Sequence, residues 1–258
     1  MGAAGMKGWN VYYCLVRPWF WLLLLSACLS SVSCSGITSR KYEYEEEIFL
    51  SLDGSATVYV NAAVPALVSL RGAALPVDSS ARLDRTVVRE WYESPVAHVV
   101  NVTASRRDNR RYVHVRLNVP DIRKLNLAPA FAWSTYAMKP VEGLFEYTQN
   151  VGGVPAKDVG QVGWTGKELV AVRLHVPSQI RFHNAPSKRT ERGNIIVWEQ
   201  TLIERQKGIP VQIEVRMDQQ SILIRTLGLF AAMAVAVVIT FVVVIWFVRR
   251  RGSPDHER

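Results

Sequence analysis

Apolar and polar positions alternate with period two along most of this chain. Tyr42, Tyr44, Ile48, Leu50 and Leu52 alternate with Glu43, Glu45, Glu47, Phe49 and Ser51, and Glu46 is the one polar intruder on the apolar set. Such alternation describes a strand with one wall on a core and the other facing solvent. Asp53-Gly54 follows, a dipeptide suited to a two-residue type I′ turn. Residues 55–63 answer as the second strand, with Ala56, Val58 and Val60 on one face. Residues 96–119 predict a second hairpin turning at Asp108-Asn109, with Arg107 opposite Arg110 and Thr103 opposite His114. Its apolar face collects Val100, Val102, Ala104, Val113, Val115, Leu117 and Val119. A third hairpin turns at Pro140-Val141-Glu142-Gly143, and strands resume over 167–176, 195–202 and 211–217.

Helical spacing is rarer. Pro65 opens a short helix over 65–70, with Gly72 just past its end. Residues 81–93 predict a second, capped by Asp78 or Ser79, with Leu83, Val87, Val88 and Trp91 on one face. A short helix follows over 121–127. The pattern changes altogether at 227–248, an uncharged apolar run whose most polar members are Gly228 and Thr240. At 1.5 Å per residue it reaches roughly 30 Å, the thickness of a bilayer's hydrocarbon core. Arg249, Arg250 and Arg251 stand flush against it and mark the cytoplasmic side, so the preceding chain is expected outside. Residues 218–221 leave no flexible stalk between the last strand and this helix.

The N-terminus reads as a signal peptide over 1–34: Lys7 and Arg17 precede a short apolar run over 19–25. Leu25-Ser26-Ala27-Cys28 then has the form of a bacterial lipobox, which makes Cys28 a lipidation site; the alternative is ordinary cleavage nearer Cys34. The expected organisation is an extracytoplasmic α+β domain over 35–220, an antiparallel sheet of hairpins with two or three short helices. One C-terminal transmembrane helix (221–248) and a short basic tail (249–258) follow it. The formal charge of +9 overstates the domain's basicity, since residues 35–220 hold 24 Lys and Arg against 20 Asp and Glu, a balance of +4. No nucleic-acid partner is therefore expected.

Chemistry-bearing motifs are sparse. The sequence has no His-Glu-x-x-His, Gly-x-Ser-x-Gly or Walker loop, and the glycine-rich stretch 152–166 lacks the context of a phosphate loop. Neither cofactor, metal nor catalysis is expected, although an enzyme of hydrolase type would require His175 or His183 to meet a carboxylate in a cleft. Asn101-Val102-Thr103 is a glycosylation sequon, relevant only in a glycosylating host. The aromatic stretch Phe131, Trp133, Tyr136, Phe145 and Tyr147 is the candidate ligand lining. Two basic clusters, Arg106, Arg107, Arg110 and Arg111, and Lys188, Arg189 and Arg192, are candidates for contact with lipid headgroups.

The lipobox, the early LDGSATVYV hairpin, the late VPSQIRFHNAP and RGNIIVWEQTL segments, and VQIEVRM running into one helix with a basic tail resemble the LppM-like bacterial membrane lipoproteins. Asp53-Gly54, Asn184, Gly193-Asn194 and Trp198 carry the likeness, spread over most of 42–251. The resemblance implies a curved antiparallel sheet with a lipid-accommodating cavity, held on the outer face of the cytoplasmic membrane, and it carries over no catalytic residue. The expected function is a membrane-anchored binding module whose partner is a lipid or another amphiphile. The alternative is a component of a membrane assembly, with a membrane-protein partner or a homodimer packed on Gly228, Ala232, Ala236 and Thr240, small residues recurring every four positions.

Two tests follow from the sequence alone. Radioactive fatty acid supplied to bacterial cells expressing the chain should label it through Cys28, and an unlabelled product would discard lipidation. Replacing Ala232 and Ala236 with Leu should abolish cross-linking between helices, and unchanged cross-linking would discard the small-residue stripe as a contact.

Overall fold

In the computed structural model, residues 41–153 and 157–251 are described. Strand β1 (Tyr42–Leu50) pairs antiparallel with β2 (Ala56–Ala63) on one side and parallel with β7 (Leu169–His175) on the other. With β3 (His98–Arg107), β4 (Arg110–Val119) and β9 (Ile195–Thr201) they form a six-stranded sheet in the order β3-β4-β2-β1-β7-β9. A second, antiparallel sheet holds β5 (Ser134–Val141), β6 (Leu144–Val151), β10 (Val211–Ser221) and β8 (Ser178–His183), in the order β5-β6-β10-β8. The class is α+β, as the alternation predicts, but two sheets replace the single antiparallel one. Local alternation identifies hairpin partners; it cannot show that the long connection after β6 returns the chain to β1 in parallel.

The turns divide by chemistry. Asp108-Asn109 and Glu142-Gly143 have positive φ at both positions (49° and 56°, 50° and 80°), the type I′ requirement, and Arg107 faces Arg110 as expected. At Asp53-Gly54 only Gly54 is left-handed, with φ 90°. Its N–H donates to Ser51 O at 3.1 Å, Ser51 N–H donates to Ser55 O, and the Asp53 carboxylate accepts from Ser55 N and Oγ. The aspartate's bond to its own backbone favours this wider turn over type I′. In β3 a bulge between Val99 and Asn101 turns Val99 inward and leaves Val100 45% exposed, so Val100 leaves the predicted apolar face.

Helix α1 (Val64–Arg71) has Pro near its start and ends at Gly72, whose φ of 69° permits the left-handed cap. Helix α2 (Arg85–Tyr92) is shorter than the periodicity suggests. Asp84, not Asp78, caps it by accepting from Thr86 N at 2.8 Å, and Asp78 instead holds a turn at Ser80. Residues Ile122–Leu127 form a 3₁₀ turn capped by Asp121 rather than an α-helix, and a second 3₁₀ turn covers Pro129–Phe131. Helix α3 (Leu202–Gln206) carries a capping box, Thr201 with Glu204, that the strand alternation of 195–202 conceals.

The inward residues of both sheets, among them Ile48, Val58, Val115, Leu117, Leu174, Ile196, Tyr147 and Met217, are buried and form one core with α1 and α2. Helix α4 (Ile222–Arg251) continues from β10 without a gap, and Ile222 N–H donates to Pro177 O at 3.3 Å. Residues Ile222–Phe247 are long and apolar enough to cross a membrane and none of that span is buried in the protein, which excludes a core helix. Gly228, Ala232, Ala236 and Thr240 lie open along it, and Thr240 Oγ1 donates back to Ala236 O. Arg249 and Arg250 are exposed on the last turn, and Arg251 is its final residue. The signal region, Cys28 and residues 252–258 lie outside the described residues.

Candidate functional site

Glu46, the polar intruder on β1, sits on the inward face and is fully buried between the sheets. Tyr44 OH donates to its Oε1 at 2.5 Å, and Arg71 Nη2, from the end of α1, lies 4.0 Å from the same oxygen. The Glu46 charge in turn adds to the rise of the Tyr136 and Tyr147 phenols from the second sheet and of Tyr92 from α2. Tyr147 OH donates to Gln149 Oε1 at 3.0 Å. Among the described residues Glu46 Oε2 and Tyr136 OH make no hydrogen bond of ordinary geometry; Gln149 and Ser134 are the polar side chains that act on them. Burial raises the Glu46 carboxyl above the usual carboxylate range, and the Arg71 cation only partly opposes it. Burial likewise pushes the Tyr44, Tyr136 and Tyr147 phenols well above their ordinary values.

A second guanidinium, Arg205 of α3, is 4% exposed. It donates to the carbonyls of Gly152 at 2.6 Å and Ile209 at 2.7 Å rather than to a carboxylate. Burial and the neighbouring Arg71 cation pull it down to about 10, so it remains charged at neutral pH. The interior here therefore holds two guanidiniums against one carboxylate. Two glycines let the backbone after β6 pack closely against its neighbours: a Cβ on Gly153 would fall 2.1 Å from Gly208 O, and one on Gly152 would fall 2.6 Å from Trp133 O.

Between these groups runs a narrow crevice walled by Val151, Val170, Val172, Trp198 and Val211, with Tyr44, Arg71, Gln200 and Arg205 as its polar members. Its volume is about 20 Å³, room for one water. Trp133 stands at its mouth. The Arg71 guanidinium lies 3.0 Å from the Trp133 ring centroid, Tyr44 meets the same ring edge-on at 6.5 Å, and Trp133 Nε1 donates to Ala130 O. Beside the Trp133–Arg71 stack is a surface depression of about 450 Å³, lined also by Ser69, Gly72, Pro129, Ala132 and Lys157. Leu70, Arg71 and Trp133 line both spaces.

The five sequence-predicted aromatics do not line one pocket. Phe131 is buried in the core against Tyr92, Tyr136 and Tyr147 are buried within electrostatic reach of Glu46, Phe145 is half-buried near the β5–β6 tip, and of the five Trp133 alone lines the crevice. The first basic cluster is engaged within the protein. Arg106 donates to Ser79 O, Arg107 to Tyr42 O and Tyr112 OH, and Arg110 to Glu43 at 2.9 Å; the buried Arg111 donates to Ala81 O at 2.7 Å and Pro76 O. Lys188, Arg189 and Arg192 are exposed on the β8–β9 connection. His175 Nε2 does meet a carboxylate, Glu47 at 2.7 Å, but on the open outer wall of the six-stranded sheet, stacked on Phe49. Sequence reading flagged Glu46 as an anomaly but missed Arg71 and Arg205. The signal for Arg205 was the Thr201-x-x-Glu204 capping box just before it.

No protein-family model and no curated protein sequence matches the chain. Among solved structures, the folded domain of LppM from Mycobacterium tuberculosis, determined by NMR, is similar at 11% identity with a TM-score of 0.38, over 71% of this chain and 94% of that one.

Because burial dominates at Glu46, its protonated form is the better tolerated one, and the folded state holds that proton to a higher pH than the unfolded chain does. The associated stability is complete below the ordinary carboxylate range and is lost as pH rises through the raised folded value. Glu46→Gln should flatten this decline, read as urea midpoints followed from acid to neutrality; parallel slopes in both proteins would refute the assignment.

Proposed function

We propose that this chain is a membrane-anchored extracytoplasmic binding module whose ligand is an amphiphile received at the Trp133–Arg71 stack. One observation carries the reading: Trp133 and Arg71, stacked on one another, line both an open depression of ligand size and a largely apolar crevice between the sheets. Entry of an acyl chain requires Trp133 to swing off Arg71, after which Val170, Val172 and Trp198 offer apolar surface. The apolar helix Ile222–Phe247 supports a place at a membrane, where such ligands are concentrated. The basic residues after it support the extracytoplasmic orientation of the domain.

The purified full chain in detergent should bind a fluorescent fatty acid saturably. Trp133→Ala should weaken that binding about ten-fold or more, corresponding to an aromatic contact of about 1.4 kcal/mol. Absence of saturable binding by the unaltered protein would sink the reading, and an unchanged affinity in the variant would remove the site from this stack.

A further inference from the structure

The junction of β10 with α4 determines which end of the domain stands nearest the bilayer. Ile222, the first residue of the apolar helix, bonds Pro177 O, and Ser178 Oγ donates to Gln220 O at 2.5 Å, so the β7–β8 turn is fixed at the base of the helix. Strand β1 runs parallel beside β7, with Phe49 level with His175. Ser51 therefore stands level with Pro177, and the turn residues Leu52 and Asp53 lie beyond it, where the chain reverses. Ile122 N–H donates to Gly54 O at 2.8 Å, which brings the start of the first 3₁₀ turn to the same end. That turn presents Arg123 and Lys124, both exposed, with Leu127 67% exposed behind them. Arg123 is oriented by two bonds to Asp121 and remains half in solvent, while Lys124 has no ion pair among the described residues.

The arginine-rich β3–β4 tip lies at the opposite end. Pairing of β2 with β4 runs from Ala56 and Val119 near the helix to Ala63 and Tyr112, roughly 24 Å away at strand rise, and the tip lies beyond. We infer that the domain rests on lipid headgroups through the Leu52–Asp53 turn and the Arg123-Lys124 corner, not through the arginine tip. The partner is the bilayer surface in which α4 itself is embedded, and Arg123 and Lys124 are the cations that meet its phosphates. The inference rests on the reading of α4 as a membrane-spanning helix.

The test uses the full chain with Cys14, Cys28 and Cys34 changed to Ser and one new cysteine, Lys124→Cys or Gln161→Cys, carrying an environment-sensitive fluorophore. Gln161 is exposed on the loop that Arg110 bonds at the far end. Each protein is reconstituted in phosphatidylcholine–phosphatidylglycerol vesicles containing a lipid with a quencher on its headgroup. The label at 124 should lose most of its emission and the label at 161 should keep it. A second pair, Arg123→Cys against Asp158→Cys, should give the same order, since Asp158 is exposed next to Val159, which shares a groove with Asp108 and Asn109 of the far tip. Equal or reversed quenching in both pairs overturns the pose while leaving the anchor intact. Release of the chain from the vesicles by alkaline carbonate overturns the spanning helix itself.

Discussion

Three like charges on one face of a single strand repel unless each finds a partner, and that constraint organises this domain. Glu43, Glu45 and Glu47 all project from the outer wall of β1 and are answered from both flanks. Arg110 of β4 reaches Glu43 at 2.9 Å, while Arg173 and His175 of β7 reach Glu45 and Glu47 at 3.3 and 2.7 Å. Tyr112 OH and Trp164 Nε1 add donors to Glu43. The hydrogen bond from His175 holds the Glu47 carboxyl below its usual range, so the carboxylate form of Glu47 is favoured. The parallel register of β1 with β7 aligns these pairs, and it is also the only direct pairing of the early hairpins with the late strands in the six-stranded sheet.

The same strand carries the opposite problem on its inner wall. Glu46 is removed from water, and the cations near it belong to two elements distant in sequence, α1 and α3. Their approach closes the interior around Trp133. A buried ionic group of this kind is poor evidence for stability, because desolvation offsets the attraction. Its value here is positional: Arg71 is held where it can stack on Trp133, and Arg205 binds the Gly152 carbonyl that follows β6.

How far the fold was legible follows from the range of each interaction. The β3–β4 and β5–β6 hairpins, their turns and the end of α1 at Gly72 depend on neighbouring residues, and the pattern showed them. The Asp53-Gly54 turn differed because one carboxylate bonded its own backbone. The parallel β1–β7 pair and the approach of Arg205 to Glu46 and Arg71 join positions more than a hundred residues apart, Arg71 reaches Glu46 across a whole strand and helix, and no periodicity encodes these contacts or the split into two sheets. The arginine tip shows the converse case. Its charge was plain in the sequence, but its carbonyl and carboxylate partners, Ser79, Pro76, Ala81 and Glu43, come from loops and a strand whose paths only tertiary structure reveals.

The gapless passage from β10 into α4 has a mechanical consequence. A domain hung on a flexible tether samples every azimuth and tilt, and each encounter with a neighbour must select one orientation from that distribution. Here the last strand is locked into its sheet by β6 and β8 and passes its direction to the helix at Ser221 and Ile222. With α4 spanning a bilayer as proposed, the helix acts as an axle for the domain, and a change of helix tilt, such as a thicker bilayer would impose, is passed to the last strand and its sheet.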